Sequence, residues 1–193
     1  MTAADLRDVA RLHAEAFPRF FLSGLGSRTL REMYAGMLAD RTGITIVAET
    51  DGRVIGFAAG TTDAHSYYRR LFIRRWWRFA IAMIPALLRH PSLVARLLWR
   101  VRAATSGSGR AGEAALLSLA VDPAAGGRGV GRLLVRAFLD AVRSGDGLRR
   151  VSLTTDAAEN DRVEAFYKSL GFTLHASYST PENRLMHEYV IDL

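Results

Sequence analysis

The sequence predicts one α/β domain built on a mixed β-sheet, and three observations lead to that prediction. Helical apolar patterns come first, a hairpin signal follows at Asp51-Gly52, and strand and helix patterns alternate from residue 115 onward. This order of elements is typical of a sheet covered by helices. The 193 residues, 49% of them hydrophobic, suffice for one substantial core and are few for two. We therefore expect residues 1–193 to form a single domain.

Two helices are expected near the N-terminus. Thr2 can cap the first helix with Asp5 at its third position, and Ser27 can cap the second, from Arg28 to Ala39. One face of the first helix consists of Leu6, Val9, Ala10, His13 and Phe17. The connection between the two helices, "FPRFFLSGLG", is unusually aromatic.

The later elements alternate between strands and helices. The runs "ITIVAET" and "RVIGFAAGTT" flank Asp51-Gly52, a dipeptide that favours the tight turn of a β-hairpin. A buried strand is predicted at Ala115–Val121, and a helix of period 3.6 follows it. Another strand begins at Arg149, another helix is ended by Gly171, and two more strands close the chain.

The composition excludes several classes of chemistry. Cysteine is absent, so the chain has no disulfide, no thiolate metal site and no cysteine nucleophile. The five histidines lack the spacing of metal ligands, and we expect no metal site. No Gly-x-Ser-x-Gly elbow follows a predicted strand, which argues against a serine hydrolase. Because the N-terminus has early acidic residues and no continuous apolar stretch, a cytoplasmic location is expected.

The net charge of +7 is concentrated in one segment. Residues 65–112 contain ten arginines and no acidic residue, which leaves sixteen basic residues against nineteen acidic ones elsewhere. The high isoelectric point is therefore a property of one segment and not of a whole basic surface. We expect no nucleic-acid partner.

The segment "VDPAAGGRGVGRLL" places four glycines immediately before a helical pattern. Glycine allows backbone conformations closed to other residues and lets a ligand approach the main chain. The N–H groups in the first turn of a helix lack partners within the helix and carry partial positive charge, which suits a phosphate. The segment fits either a pyrophosphate loop or a strand-to-helix turn that binds nothing.

Two motifs in this order resemble the GNAT acetyltransferase superfamily. "GGRGVG", Gly126 to Gly131, is similar to the family's acyl-CoA pyrophosphate loop, and "NDRVEAFYKSLGF", Asn160 to Phe172, is similar to its second motif. The resemblance implies a GNAT-type mixed, mostly antiparallel central sheet flanked by helices, with a helical insert between the third and fourth strands. It also implies direct acetyl transfer from acetyl-CoA, as co-substrate, to a primary amine.

The resemblance also assigns candidate site residues. The strand Leu117–Val121 is expected to splay from Val151–Thr155, so that backbone N–H groups of Leu119, Ala120 and Val121 polarise the thioester carbonyl. The residues expected to bind the pyrophosphate are Gly126, Gly127, Arg128, Gly129, Val130, Gly131 and Arg132. Tyr167 is expected near the thioester sulfur. Asn160 ranks below it for chemistry, since it also suits a helix cap or a structural anchor.

The general base is ambiguous. An alkyl amine with a pKa near 10 is only about one part in a thousand neutral at pH 7, so a base would help the reaction. Glu113, at the start of the central strand, is the first candidate, and Asp63 and His65 after the hairpin are its rivals. A sugar amine, whose pKa is lower, would reduce the need for a base.

The insert, residues 64–112, stands where the family usually has a short connection. As a helix up to Pro85 it is amphipathic, with Arg70, Arg74, Arg75 and Arg78 opposite an apolar face. That face comprises Phe72, Ile73, Trp76, Trp77, Phe79, Met83 and Ile84. The longest uncharged run, Phe79–Leu88, has ten residues, about half of what a transmembrane helix needs.

Three roles for the insert compete: a flap packed on the domain, a membrane-surface helix, and a basic patch for an anionic acceptor. We favour a flap whose aromatic face docks and whose arginines line or neighbour the acceptor site, with peripheral membrane contact next. The expected acceptor is a small, anionic amine such as a nucleotide-linked amino sugar. The alternatives are an acyl-CoA-binding or membrane-docking module without transferase activity, and an enzyme acting on a protein N-terminus. A homodimer is left open.

Overall fold

The computed structural model describes residues 1–18, 21–89, 112–145, 147–180 and 183–193. Its centre is a six-stranded sheet of order β1-β2-β3-β4-β6-β5. The strands are β1 (Gly43–Thr50), β2 (Arg53–Thr61), β3 (Ala114–Val121), β4 (Arg150–Asp156), β5 (Thr173–Ser179) and β6 (Leu185–Asp192). All neighbours are antiparallel except β3 and β4, which are parallel. The predicted mixed, mostly antiparallel sheet is confirmed.

Helices cover both faces of this sheet. They are α1 (Leu6–Ala16), α2 (Phe21–Gly24), α3 (Ser27–Ala39), α4 (Tyr67–Arg89), α5 (Val130–Arg143) and α6 (Asp161–Lys168). Apolar residues of α1, α3 and α4 form one buried cluster on the sheet, and those of α5 and α6 form another. The expected position of the insert was wrong: α4 follows the second strand, because the described chain before the hairpin is helical and supplies no earlier strand.

The β1–β2 hairpin forms at the predicted turn. Asp51 and Gly52 have φ angles of 49° and 73°, which a two-residue turn with the right-handed twist of its strands requires. Thr50 lies opposite Arg53 at the turn, and Gly43 lies opposite Thr61 at the far end. This hairpin positions β2 as the neighbour of β3.

β3 has a partner on both sides only along its first half. It pairs with β4 from Ala114 to Leu116, whereas its pairing with β2 continues to Val121. β4 likewise stays paired with β6 as far as Asp156. The two central strands therefore diverge after Leu116, which confirms the expected splay and opens a gap in the sheet.

A β-bulge between β2 and β3 lies at the same level. Ala59 pairs with Ser118 and Gly60 with Leu116, so Leu117 is the extra residue. Gly60 is required there, because a Cβ atom would lie 2.1 Å from the carbonyl oxygen of Ala115. Leu117 and Ser118 consequently both face α1 and α3.

The start of α4 is fixed to the domain by ion pairs. The Arg70 guanidinium donates to Asp63, to Asp40 at 3.3 Å and to Thr42 Oγ1 at 2.6 Å. Burial acts to raise the pKa of Asp40, but hydrogen bonds from Thr42 and Arg70 outweigh it and hold that pKa below its ordinary value. Tyr67 and Leu71, on either side of Arg70, enter the core.

This attachment sets the rotation of α4, and the predicted docking of its aromatic face was wrong for most of that face. Phe79 and Met83 are buried as predicted. The large apolar side chains that face solvent are Ile73, Trp76, Trp77, Ile81, Ile84 and Leu88, with exposed fractions of 49 to 80%. The helix also continues through Pro85 to Arg89. The remainder of the insert, residues 90–111, lies outside the described residues.

Candidate active site

The gap between β3 and β4 opens into a cavity of about 610 Å³. We call one side the sheet wall: the lining residues of β3, β4, α6 and the start of α5. We call the other side the helix wall: the lining residues of α1 to α4, together with Phe17. Among the described residues, no lysine or arginine lines either wall.

Two backbone N–H groups of β3 point into the gap. The Asp122 N–H donates to Ile55 of β2 at 2.8 Å, and hydrogen-bonding groups alternate along an antiparallel strand. Leu119 and Val121 therefore direct their N–H groups away from β2, toward the side that β4 has left. Ala120, the third residue predicted here, directs its N–H group to β2 instead, and its side chain belongs to the α1–α3–α4 cluster.

The glycine-rich loop follows β3 directly. The Asp122 carboxylate accepts the Ala124 N–H at 2.9 Å and starts a 3₁₀ turn, Pro123–Ala125. Gly127 and Gly129 then adopt φ angles of 75° and 77°. A Cβ atom at either position would have no heavy atom within 4 Å, so the space beside this backbone is open.

Helix α5 begins at Val130, immediately after Gly129. Its first N–H groups, the open space beside the two glycines and the exposed Arg128 fit a bound phosphate. Arg132 is used differently, since its guanidinium donates to Ser169 Oγ at 3.0 Å and links α5 to the end of α6. At Gly131 a Cβ atom would lie 3.4 Å from Phe166, so this glycine allows the two helices to approach.

Tyr167 projects from α6 into the sheet wall. It is 8% exposed and packs its ring on Phe166 and Phe172, at centroid distances of 5.1 and 5.7 Å. Burial raises the pKa of its hydroxyl to about 12. Among the described residues this hydroxyl has no hydrogen-bond partner, so it is a protonated donor available to a molecule in the cavity.

Contacts at the start and in the middle of α6 hold it in place. The Asn160 side-chain amide donates to Thr155 Oγ1 at 2.6 Å and to the Asp156 carbonyl at 2.7 Å. Asn160 is therefore an anchor to β4, and its side chain does not cap the helix. Further along, Glu164 accepts hydrogen bonds from Tyr189, His187 and Lys168, which lower its pKa to about 2.

The three candidate bases do not reach this cavity. Glu113 precedes β3, about 20 Å of strand from Leu119, and its carboxylate lies 3.7 Å from Arg150. Asp63 is paired with Arg70, and His65 is exposed beside it. None of the three lines the cavity.

The helix wall contains a buried histidine that motif reasoning missed. His13 is 3% exposed, its Nδ1 lies 2.6 Å from the Tyr34 hydroxyl, and that hydroxyl also bonds with Ser118 of β3. Burial lowers the pKa of His13 to about 4, so its ring is neutral at pH 7. The signal was a lone histidine on the apolar face of α1, which more often marks an ordinary core position.

Two lining residues of the helix wall have unused hydrogen-bonding atoms. His13 Nε2 and Tyr67 Oη are buried and have no partner among the described residues. Both groups are uncharged at neutral pH, because burial lowers the pKa of His13 and raises that of Tyr67. The helix wall therefore offers neutral hydrogen-bonding groups among aromatic and aliphatic side chains.

The arginines of α4 lie away from the cavity, which contradicts their predicted place along the acceptor site. Arg70 is engaged by Asp40 and Asp63. Arg78 lines a separate groove of about 760 Å³, together with Arg7, Arg28 and Arg31. The insert does reach the cavity, but through Tyr67 and Tyr68.

Known proteins share this fold. The N-acetyltransferase from Staphylococcus aureus Mu50 superposes with a TM-score of 0.67 at 16% identity, covering 98% of this chain and 97% of that one. The ribosomal-protein-alanine N-acetyltransferase from Brucella melitensis gives 0.65 at 15% identity, over 100% and 97%. At such low identities the likeness concerns the fold alone.

A relative in sequence is mycothiol acetyltransferase from Beutenbergia cavernae, 46% identical over 66 residues. That alignment covers 33% of this chain and 22% of the relative, so the chain spans about a fifth of that protein. The sequence also matches the model of the acetyltransferase (GNAT) family over residues 6–172, which is most of its length. This match shows that the chain belongs to the acetyltransferase (GNAT) family, in agreement with its splayed central strands and the glycine loop that follows β3.

Proposed function

We propose that this enzyme transfers an acetyl group from acetyl-CoA directly to a primary amine of a small acceptor held in the cavity. One observation carries the proposal. The gap after Leu116 brings the N–H groups of Leu119 and Val121 and the Tyr167 hydroxyl to one cavity, next to the open glycine loop. These are the groups that acyl transfer from a thioester requires.

The sheet wall would hold the acyl donor. Gly127, Gly129 and the first N–H groups of α5 would bind the pyrophosphate, with Arg128 beside them. Acetyl-CoA supplies an activated acyl group as its thioester. In the transfer, the C–N bond forms as the C–S bond breaks, the amine gives up one proton and the sulfur takes one up.

Three hydrogen-bond donors of the chain would stabilise that change. The N–H groups of Leu119 and Val121 would donate to the carbonyl oxygen where negative charge develops. Tyr167, with a pKa of about 12, would have to give a proton to a thiolate of pKa near 8.5, at a cost of roughly 5 kcal/mol. We therefore assign Tyr167 to hydrogen bonding at the sulfur and not to complete proton transfer.

The described cavity holds no free carboxylate to act as a base. Asp156 lines it, but its oxygens each accept from Arg184 at 2.6 Å. Glu113 is therefore not part of the proposed site. An acceptor amine of low pKa, already neutral when it binds, suits this arrangement, and an amino sugar has such an amine.

The neutral helix wall bears on the acceptor class. We propose a small amine whose reacting part is uncharged and enters between His13, Tyr67 and the apolar side chains of the wall. Burying a charge there would be costly, because no described cation lines the cavity. An anionic part of the acceptor, such as a linked nucleotide, would remain outside the cavity.

The test has two stages on the full chain. Calorimetric titration with acetyl-CoA should show binding, and release of free thiol should then depend on the amine added. The panel is glucosamine, a nucleotide-linked amino sugar, spermidine and a peptide with an N-terminal alanine. We expect turnover with an amino sugar above spermidine and the peptide. No binding at millimolar acetyl-CoA would overturn the proposal, and binding without turnover of any amine would favour an acyl-CoA-binding module.

A further inference from the structure

The outer side of α4 carries an apolar surface that the described chain leaves uncovered. We call it the outer stripe: Ile73, Trp76, Trp77, Ile81, Ile84 and Leu88, with exposed fractions from 49 to 80%. Their spacing of three and four residues places them on one side of the helix. Single exposed apolar residues are ordinary on proteins, but a continuous stripe with two tryptophans marks an interaction surface.

The charges around this stripe are mainly positive, and the acidic residues Asp8 and Glu32 lie in the groove that Trp77 and Ile81 line. Arg69 and Arg74 are exposed beside it, and neither is paired with a carboxylate of the described residues. Arg78, at the edge, is partly balanced by Glu32 at 3.5 Å. Residues 64–112 contain no acidic residue at all. Because arginines outnumber acidic residues around the stripe, a partner that is apolar within and negative at its surface fits it best.

We propose that the outer stripe docks on the surface of an anionic phospholipid bilayer. Indole rings prefer the boundary between headgroups and acyl chains, and guanidinium groups beside them bind lipid phosphates. A second copy of the chain fits less well, because pairing two stripes would bring their arginines together. None of the described helices is long and apolar enough to cross a membrane, so α4 would lie in the plane of the interface.

Docking would also place the cavity near the bilayer. Tyr67 and Tyr68 line the cavity, and the stripe begins at Ile73, about 9 Å further along the same helix. The acceptor could then be taken from the membrane surface. The docking itself does not rest on the proposed acetyl transfer, and it is measured separately from it.

The primary experiment is co-sedimentation of the full chain with vesicles. One set contains phosphatidylglycerol and phosphatidylcholine in equal parts, and the other contains phosphatidylcholine alone. We expect binding to the first set, weaker at high salt, and none to the second. Failure to bind the anionic vesicles at low salt would overturn the proposal.

Paired variants identify the surface. The double variant Arg69→Gln, Arg74→Gln should bind about twentyfold more weakly, and Trp76→Ser, Trp77→Ser at least tenfold more weakly. The matched controls are Arg136→Gln with Arg149→Gln, and Leu174→Ser, which remove exposed residues of the same kinds elsewhere. Unchanged acetyl-CoA binding in every variant verifies the fold. Equal losses in controls and stripe variants would contradict the assignment.

Tryptophan emission reports what covers the stripe. In a Trp99→Phe background only Trp76 and Trp77 emit, and anionic vesicles should shift that emission to shorter wavelength. Emission that is already short without vesicles and does not move on adding them would mean that another part of the chain or a second copy covers the stripe. That result overturns the proposal. Light scattering then distinguishes a second copy, which increases the particle mass, from another part of the same chain.

Discussion

The two walls of the cavity are built by different means. The sheet wall presents backbone N–H groups of β3, a glycine of the loop that follows β3 and one tyrosine, which lie within or just before the two stretches that short motifs identify. The helix wall presents side chains from four helices, and its His13 is connected through the buried Tyr34 to Ser118 of β3, so that three elements distant in sequence meet. The residues proposed to bind the donor are therefore encoded locally, whereas those proposed to recognise the acceptor are brought together by tertiary packing. Substitutions in the two walls should therefore change different measurements.

The largest effect is expected in the glycine loop of the sheet wall. Gly129→Glu adds a negative charge and a side chain in the open space where the pyrophosphate would lie, at a φ of 77° that favours glycine. We expect acetyl-CoA affinity to fall at least about thousandfold by calorimetry. Gly147→Glu is the matched control, because that glycine has a φ of 81° and equally open surroundings. A similar loss in the control would show that backbone strain, and not phosphate binding, causes the effect.

Lowering the pH should destabilise the folded protein through His13 of the helix wall. Its pKa of about 4 in the folded protein lies below the ordinary 6.5, so between these values the unfolded chain binds a proton that the folded chain does not. The free energy of unfolding should therefore fall as pH drops from 6.5 toward 4, by about 2 kcal/mol at pH 5.

Urea unfolding at pH 7 and pH 5 measures this effect. His13→Asn should remove that part of the pH dependence, whereas the exposed His175→Asn should keep it. Identical pH dependence of the free energy of unfolding in the wild type and His13→Asn would show that His13 does not cause the loss of stability in acid.

Tyr167→Phe should alter the sheet wall without altering donor affinity. The phenol is assigned to the leaving sulfur, so we expect kcat to fall about tenfold to hundredfold while the Kd for acetyl-CoA changes less than about twofold. Tyr178→Phe, on the exposed edge strand β5, is the control. Equal kcat for Tyr167→Phe and the wild type would reduce this tyrosine to a packing residue.

The smallest effect is expected at the attachment of α4. Arg70→Gln removes a guanidinium that holds Asp40, Asp63 and Thr42, and we expect a loss of about 1 to 2 kcal/mol in the free energy of unfolding. The exposed Arg74→Gln should cost less than about 0.5 kcal/mol. Because Arg70 fixes the turn that carries Tyr67, the KM for the acceptor should rise while acetyl-CoA affinity stays constant. A changed acetyl-CoA affinity would contradict the claim that the two walls affect different measurements.

Most of the sheet and the sheet wall could be predicted from the sequence. The Asp51-Gly52 turn and the glycine loop depend on backbone conformations that only a few residue types accept, so the residue types reveal them. The roles proposed for Leu119 and Val121 came from the family resemblance, but the preference for them over Ala120 did not. That preference follows from the pairing of β3, which continues with β2 as far as Val121 but ends with β4 at Leu116.

The orientation of α4 could not be predicted from its amphipathic pattern. An apolar face is normally expected to dock, yet the ion pairs of Arg70 and the burial of Tyr67 and Leu71 fix the helix with that face mostly outward. The pattern contains apolar residues on nearly every side, so periodicity alone leaves the rotation undetermined. The partners that decide it, Asp40 and Asp63, lie in other elements.

The bulge at Leu117 gives β3 two reading frames. Before Leu117 the even-numbered side chains of β3 face α5, and after it they face α1 and α3. Ser118 therefore turns toward Tyr34, whereas in a regular strand it would face α5. The same offset decides which amides of the strand face the gap. If β3 paired regularly with all its residues kept, no polar group would be lost, yet every residue after Leu117 would move into the opposite phase. The bulge thus sets both the side chains that face Tyr34 and the N–H groups that face the gap. A change in this offset would alter the two walls together.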